Sequence, residues 1–182
     1  METSQKIIEA SIIVFTEHGY LGATTKKIAS TAGVSEMTVF RKFQTKQNLF
    51  NVMIKSTLGQ ELSSTLEPNY DLSLKHLVEK LLHSRLMIIS SKIGLIRMII
   101  QESIQGYVPD ELDFIAQISK ELKETLETYQ KIHQKSSGLL LDAIISGILL
   151  QYAIMTPDIQ YHLMSDIEQK KYIENLISHI NL

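Results

Sequence analysis

The chain has 182 residues, of which 44% are hydrophobic and 21% charged, and this length buries a substantial core in one or two helical units. It contains no cysteine, which excludes a disulfide framework and a thiolate metal site and suits a reducing compartment. The net charge of −2 conceals an uneven distribution: residues 1–55 hold seven basic and four acidic residues (+3), and the remainder holds the other 11 and 16 (−5). A basic N-terminal part joined to an acidic remainder favours contact with DNA at the N-terminal end.

The N-terminal segment METSQKIIEAS begins polar and becomes amphipathic, unlike a secretory signal peptide. We therefore expect a cytoplasmic protein. The first predicted helix ends at His18-Gly19, and its apolar stripe recurs at helical spacing. The residues of this stripe are Ile7, Ala10, Ser11, Val14 and Phe15.

Residues 24–43 have the pattern of a helix-turn-helix. Thr24 is a predicted N-cap of a short helix, Gly33 ends that helix in a tight turn, and Ser35 is the N-cap of a second helix. Val34 and Val39 occupy the positions of a hydrophobic staple, which fixes the angle at which the chain enters the second helix.

The second helix of this motif has one inward and one outward face. Val39 and Phe43 form the inward stripe, so Met37 and Arg41 point away from it. Such a helix fits the major groove, where methionine packs on thymine methyls and arginine pairs with guanine. Taken alone, the spacing equally fits two packed helices with a solvated charged surface. The lysines expected around the motif as phosphate contacts are Lys26, Lys27, Lys42 and Lys46.

Together with its flanking segments, the motif resembles the TetR family of bacterial transcriptional repressors. The matching segments are KIIEASIIVF at 6–15, the GY pair at 19–20, TTKKIASTAGVS at 24–35 and TVFRKFQTKQNLF at 38–50. They cover about the first quarter of the chain, and their joint match is specific. The resemblance implies an all-α fold with a three-helix DNA-binding head at residues 1–50 and a helical ligand-binding and dimerisation body at residues 51–182.

The resemblance also implies a set of DNA contacts. Phe40 stands where the family usually has tyrosine, and Lys42 stands where it usually has histidine, so a hydroxyl donor and an aromatic ring are missing there. Glu36 would repel phosphate and could instead accept a hydrogen bond from a cytosine amino group, but a carboxylate also suits the positive end of a helix, and we favour this helix-start explanation. The expected contacts, of which Thr25, Lys26 and Lys46 bind phosphate in the family, are Thr25, Lys26, Ser35, Met37, Thr38, Phe40, Arg41, Lys42 and Lys46.

Helical patterns continue through the body. Thr45 caps a connecting helix that runs to about residue 65, and Pro109 opens a later helix. Thr156-Pro157 is predicted to open a short helix, and Ser165 with Glu168 forms a capping box for the last one. The predicted body helices span about 72–90, 93–105, 110–133, 137–156 and 166–180.

The apolar stretch at 136–155 has three interpretations. Its short length, Asp142 and Gln151 argue against a membrane span and favour a helix buried between neighbours. A purely intramolecular core and a two-fold dimer interface remain open, and the resemblance favours the dimer. The expected interface residues are Ile118, Leu122, Leu139, Ala143, Gly147, Leu150 and Ile154.

The resemblance further implies a cavity in the body for a small-molecule inducer. For each candidate lining residue, ordinary core packing or a solvated helix face is the alternative. The candidates are Met87, Met98, Gln101, Glu102, Tyr107, Phe114, Tyr129 and Tyr152.

No catalytic or phosphate-loop pattern is present in the sequence, so we expect no enzyme activity and no cofactor. Asp158, His162 and Asp166 have metal-ligand spacing on one helix, but Ser165 is predicted to start a new helix between them. The favoured function is a homodimeric repressor that binds a palindromic double-stranded DNA operator until an inducer releases it. The alternatives are a TetR-like DNA binder with another role and a helical ligand-binding or interaction module.

Overall fold

The computed structural model describes residues 2–63, 68–109, 112–134, 141–155, 158–178 and 180. These residues form nine α-helices and no strand, which confirms the all-α fold class. The helices are α1 (Thr3–Gly22), α2 (Thr25–Ala32), α3 (Glu36–Phe43), α4 (Lys46–Ser63), α5 (Leu74–Ser91), α6 (Ile93–Ile104), α7 (Phe114–His133), α8 (Leu141–Met155) and α9 (Asp166–Ile177), with a 3-10 turn at Tyr161–Leu163 before the last.

The chain divides into two compact units. The N-terminal unit contains Met1–Ser63 together with Arg97–Phe114, and the C-terminal unit contains Ser64–Ile96 and Ile115–Leu182. The N-terminal unit extends past the predicted head at residues 1–50, and Met53, Ile54 and Leu58 of α4 are fully buried. The second segment of the N-terminal unit, Arg97–Phe114, comes from far along the chain, and no local sequence pattern predicts that it packs in this unit.

The core of the N-terminal unit is built on α1. Its predicted apolar stripe is buried at every position. Phe15 meets Phe50 edge to face with ring centroids 4.9 Å apart, and Tyr20 meets Phe50 in the same way at 5.1 Å. Burial of each large aromatic ring stabilises the unit by about 1.5–3 kcal/mol. The aromatic cluster therefore fixes α1 against α4.

Gly19 breaks the helical geometry of α1 near its end. Its φ of 65° lies in the left-handed region, and a Cβ there would stand 2.9 Å from Oε1 of Glu102. Glycine is required at this position both for the backbone conformation and for the close approach. The first helix, predicted to end at His18-Gly19, is therefore interrupted at Gly19 and ends three residues later, at Gly22.

The helices that follow α4 match the predicted patterns with one correction. Leu112 donates its N–H to the carbonyl of Pro109 in a turn (2.8 Å), and α7 begins only at Phe114, so Pro109 does not open this helix. Ser165 and Glu168 form the predicted capping box at the start of α9. The helix predicted at Thr156-Pro157 lies outside the described residues.

A buried ion pair joins α5 to α7. Arg85 donates to the carboxylate of Glu121, and the guanidinium is almost completely buried. Loss of one partner would leave the other charge buried without compensation, which costs far more than the pair contributes. This pair therefore fixes the register of α5 against α7 within the C-terminal unit.

Candidate nucleic-acid interface

The two helices of the motif begin and end at the predicted capping residues. The Thr24 hydroxyl accepts the N–H of Lys27 (3.2 Å), and the Ser35 hydroxyl accepts the N–H of Thr38 (3.2 Å). Gly33 ends α2 in the left-handed conformation with φ 66°, which a glycine adopts without strain. The three capping predictions are confirmed.

The two faces of α3 lie as the sequence predicts. Val39 and Phe43 are buried, whereas Met37 and Phe40 are 74% and 61% exposed and Arg41 is also exposed. The exposed face of this short capped helix therefore carries two large apolar side chains and an arginine, the types of side chain that pack on thymine methyls and pair with guanine in protein–DNA complexes.

Hydroxyl groups on this surface are already hydrogen-bonded within the chain. Thr25 donates its hydroxyl proton to Oε1 of Glu36 (2.6 Å). The hydroxyls of Ser35 and Thr38 pair with each other at 2.8 Å. Glu36 lies in the first turn of α3, where a carboxylate also suits the helix dipole. The sequence indicated the helix-start role of Glu36 but not its bond to Thr25, which lies 11 residues earlier on another helix.

Three of the four lysines expected to contact phosphate also make internal contacts, and Lys27 donates from Nζ to the carbonyl of Gly22 (3.3 Å). Lys46 donates from Nζ to the carbonyls of Tyr20 (2.7 Å) and Ala23 (3.1 Å), and its ammonium lies 4.3 Å from the centroid of the Tyr20 ring. Lys42 donates to the hydroxyl of Ser4 (3.0 Å). Lys26 is exposed on α2. Lys46 consequently ties the end of α1 to the start of α4, a role that sequence spacing did not reveal.

Two residues predicted to line a ligand pocket, Glu102 and Tyr107, contact Tyr20 near the end of α1. Glu102 is 3% exposed and accepts the N–H of Tyr20 at Oε1 (3.0 Å), while its Oε2 accepts no bond from the described part of the chain. The Tyr107 ring stacks on Tyr20 at 5.1 Å, and Gln47 donates to the Tyr107 carbonyl (3.1 Å). Burial, and then the nearby Tyr107 and Glu102, raise the pKa of the Tyr20 hydroxyl.

The eight candidate pocket residues are divided between the two units. Five of them, including Phe114, lie in the N-terminal unit, and the other three lie in the C-terminal unit. Met98, Tyr129 and Tyr152 are buried as ordinary core, Met87 is half-buried, and Gln101 is exposed. The side chain of Phe114 lies outside the described part of the structure. The predicted pocket therefore stays a prediction.

A different cavity of about 810 Å³ opens in the C-terminal unit between α5 and α9. Its volume lies within the usual range for small-molecule sites. None of the eight predicted residues belongs to its lining. The lining residues are Leu72, His76, Glu79, Lys80, His83, Ser84, Asp166, Gln169, Lys170 and Ile173.

Polar groups are fixed in the wall of this cavity. Gln169 is 7% exposed and donates its side-chain N–H to the carbonyl of Tyr161 (3.1 Å). The Tyr161 hydroxyl lies 2.8 Å from Nδ1 of His83. Burial, with the nearby hydroxyls of Tyr152 and Tyr172, raises the pKa of Tyr161 to about 12, so the phenol keeps its proton at neutral pH. When Nδ1 of His83 accepts the hydrogen bond of this hydroxyl, the ring N–H lies at Nε2, which can donate a hydrogen bond.

The predicted dimer residues fall into two groups. Ile118 and Leu122 of α7 are buried within the single chain and leave little surface for a partner, so their predicted interface role stays a prediction. On α8, Ala143 and Gly147 are exposed, as are Leu150 (38%) and Ile154 (49%), and Leu139 lies outside the described residues. Further large apolar side chains that are exposed nearby in sequence are Met155, Leu163 and Ile167.

The metal-ligand spacing noted in the sequence does not place its residues on one helix. Ser165 caps α9 immediately before Asp166, and Nδ1 of His162 lies 2.7 Å from the Ser90 hydroxyl. Among the residues that the structure describes, no cluster of three potential metal ligands is found. In the same part of the chain, every helix is too short or too polar to span a bilayer.

The N-terminal segment matches a known family. Residues 7–53 fit the sequence model of the bacterial regulatory proteins of the tetR family. The HTH-type transcriptional regulator YvkB of Bacillus subtilis is 38% identical over 66 residues, which make up 35% of this chain and 35% of that protein. The HTH-type transcriptional repressor AcnR of Corynebacterium diphtheriae is 44% identical over 46 residues, 25% of this chain and 24% of that protein. The similarity to these relatives thus spans about a third of their length or less.

Solved structures share the fold over nearly the whole chain. A bacterial regulatory protein of the tetR family from Rhodococcus RHA1 aligns with a TM-score of 0.73 and 18% identity, covering 99% of this chain and 97% of that one. HlyIIR, a hemolysin II transcriptional regulator, aligns with a TM-score of 0.71 and 22% identity, covering 97% and 95%. The helical body that follows the helix-turn-helix therefore has the same architecture as in these proteins.

Proposed function

We propose that this chain, whose residues 7–53 match the TetR family of bacterial regulatory proteins, is a sequence-specific transcriptional repressor that binds operator DNA as a homodimer. The observation that carries the proposal is the outward face of α3. Met37, Phe40 and Arg41 are exposed together on a helix that is capped at its start and packed through Val39 and Phe43. The side chains available to read bases are therefore different from those that pack in the core, so DNA binding requires no change in core packing.

The exposed apolar face of α8 supports the homodimer. Leu150 and Ile154 lie one turn apart, and the small residues Ala143 and Gly147 precede them at helical spacing, so a second helix can approach closely. A two-fold dimer presents two recognition helices, which must reach successive major grooves about 34 Å apart on a palindromic site. Dimerisation is therefore required for tight operator binding.

The cavity between α5 and α9 supports release by a small-molecule inducer. Lys80, Asp166 and Lys170 line it and form no ion pair within the described part of the chain, so its wall carries charges that a ligand can pair. An inducer acts by binding more tightly to the dimer form that fits DNA poorly, since equal affinity for both forms would shift nothing.

The test is binding to a labelled duplex from the region that flanks the protein's own gene, compared with a random duplex of equal length, at two salt concentrations. Preferential binding that weakens with salt supports the repressor. Ile154→Asp should yield a monomer by sedimentation and lose operator affinity. The matched control, Ile13→Asp on the exposed face of α1, should remain a dimer and keep its affinity. A folded dimer without sequence preference would refute the proposal.

One observation favours a second candidate, a helical ligand-binding or interaction module without operator-specific repression. Thr25, which the resemblance assigns to DNA phosphate, already donates its single hydroxyl proton to Glu36 of the same chain. The same binding experiment separates the two candidates, because the module predicts no preference between the duplexes at either salt concentration.

A further inference from the structure

Thr25 and Glu36 form a hydrogen bond on the surface that faces DNA in the proposed function. Thr25 is the first residue of α2, Glu36 is the first residue of α3, and their side-chain oxygens are 2.6 Å apart. Glu36 is exposed and Thr25 is half-buried, so the bond joins the starts of the two helices at the protein surface. The short distance is typical of a hydroxyl that donates to a carboxylate.

A hydroxyl group has one proton to donate. Phosphate oxygens only accept, so Thr25 cannot donate to a DNA phosphate while it donates to Glu36. The carboxylate also repels a phosphate that approaches Thr25. Both effects oppose the phosphate contact that the family resemblance assigns to this threonine.

We propose that Glu36 is a positioning residue that withholds Thr25 from DNA phosphate and thereby sets the sequence-independent part of DNA affinity. The inference rests on the proposed function and deepens it. Phosphate contacts carry affinity without sequence information. Removal of Glu36 should therefore tighten binding to operator and random DNA by similar factors, whereas removal of Arg41 changes their ratio.

The test is a double-mutant cycle in the whole chain, with binding to a random-sequence duplex measured by fluorescence anisotropy. Glu36→Ala should tighten binding about three- to tenfold at low salt and less at high salt. Glu17→Ala on α1 removes the same charge from an exposed acid of the same unit and serves as the control for net charge. It should change binding by less than about twofold.

Thr25→Val distinguishes withholding of the proton from simple repulsion. With Glu36 present, it should change affinity by less than about twofold, because the proton is already committed. In the Glu36→Ala background, the same substitution should weaken binding about three- to tenfold, since the hydroxyl now donates to phosphate. Glu36→Gln keeps an acceptor for Thr25 without the charge, so the effect of Thr25→Val should remain small there.

Equal effects of Thr25→Val in the unaltered protein and in the Glu36→Ala variant would overturn the inference, as would an equal response to Glu36→Ala and Glu17→Ala. If the unaltered protein binds neither duplex, the proposed function fails and the inference falls with it. Denaturant unfolding of the four proteins of the cycle separates these failures. A coupling free energy of zero between Thr25 and Glu36 in the free protein would refute the pair itself, whatever the DNA measurements give.

Discussion

Replacement of Lys46 by methionine tests whether this residue stabilises the N-terminal unit. Methionine keeps a flexible apolar stem of similar length and removes the ammonium. The substitution deletes two hydrogen bonds, to the carbonyls of Tyr20 and Ala23, and a cation–π contact with the Tyr20 ring. The two carbonyls lie at the end of α1, where a cation also interacts favourably with the helix dipole.

The expected loss follows from these contacts. A hydrogen bond from a charged donor contributes about 1.5–3 kcal/mol when it is well shielded, and a cation–π contact about 0.5–1 kcal/mol at an accessible site. Lys46 is half-buried, so water partly replaces the ammonium for both carbonyls. We expect the unfolding free energy to fall by about 2 kcal/mol, which lowers the Tm of a chain of this length by about 4–8 °C.

The assay is thermal and denaturant unfolding of Lys46→Met, with Lys26→Met as the matched control. Lys26 is an exposed lysine of the same unit, so its variant should unfold within about 1 °C of the unaltered protein and show only a reduced salt dependence of DNA binding, with the slope smaller by about one. If Lys46→Met also unfolds within about 1 °C of the unaltered protein, the structural role assigned to its ammonium is wrong.

Three further expectations follow from exposed side chains. Arg41→Ala should weaken operator binding by about 1–3 kcal/mol and random-DNA binding much less; equal losses measured by anisotropy would remove Arg41 from base readout. Phe40→Tyr adds a hydroxyl at an exposed position of α3 and should tighten binding to both duplexes about threefold, and unchanged affinity would place the ring away from phosphate. The Ser165 side chain and backbone N–H lower the pKa of Glu168 below its ordinary value of 4.5, so the stabilisation is present above that value and is lost as pH falls through the lower folded pKa. Unfolding of Glu168→Gln from about pH 7 to about pH 2 should therefore converge with the unaltered protein at acid pH, and a constant difference would contradict this linkage.

Local structure was predictable because its determinants lie within one or two helical turns. Thr24, Ser35 and Ser165 cap helices through bonds to groups three residues away, and Gly33 ends α2 through its own backbone conformation. The inward stripes of α1 and α3 follow from helical periodicity alone. The outward positions of Met37 and Arg41, and hence the candidate interface, follow from the same rule.

Partners of polar side chains were not predictable, because they depend on which helices meet. Lys46 binds a carbonyl 26 residues earlier, and Glu102 binds an amide 82 residues earlier. Lys46 was assigned to phosphate from its position in the motif, and Glu102 to the pocket from its polarity within an apolar helix. Neither criterion shows which helices pack together. Periodicity had the same limit for Ile118 and Leu122, since an apolar stripe fits equally the core of one chain and the surface between two chains.

The number of protons on each donor decides which of the predicted DNA contacts are compatible with the internal bonds. Lys46 has three N–H donors and uses two, and Lys42 uses one of three, so each can still bind a phosphate without loss of its internal contact. The hydroxyls of Ser35 and Thr38 share two protons, and their mutual bond uses one of them. Thr25 alone among these residues has its single proton fully committed. Lys42, Lys46 and the Ser35–Thr38 pair can therefore bind phosphate while they keep their internal bonds, whereas Thr25 can bind phosphate only if its bond to Glu36 breaks.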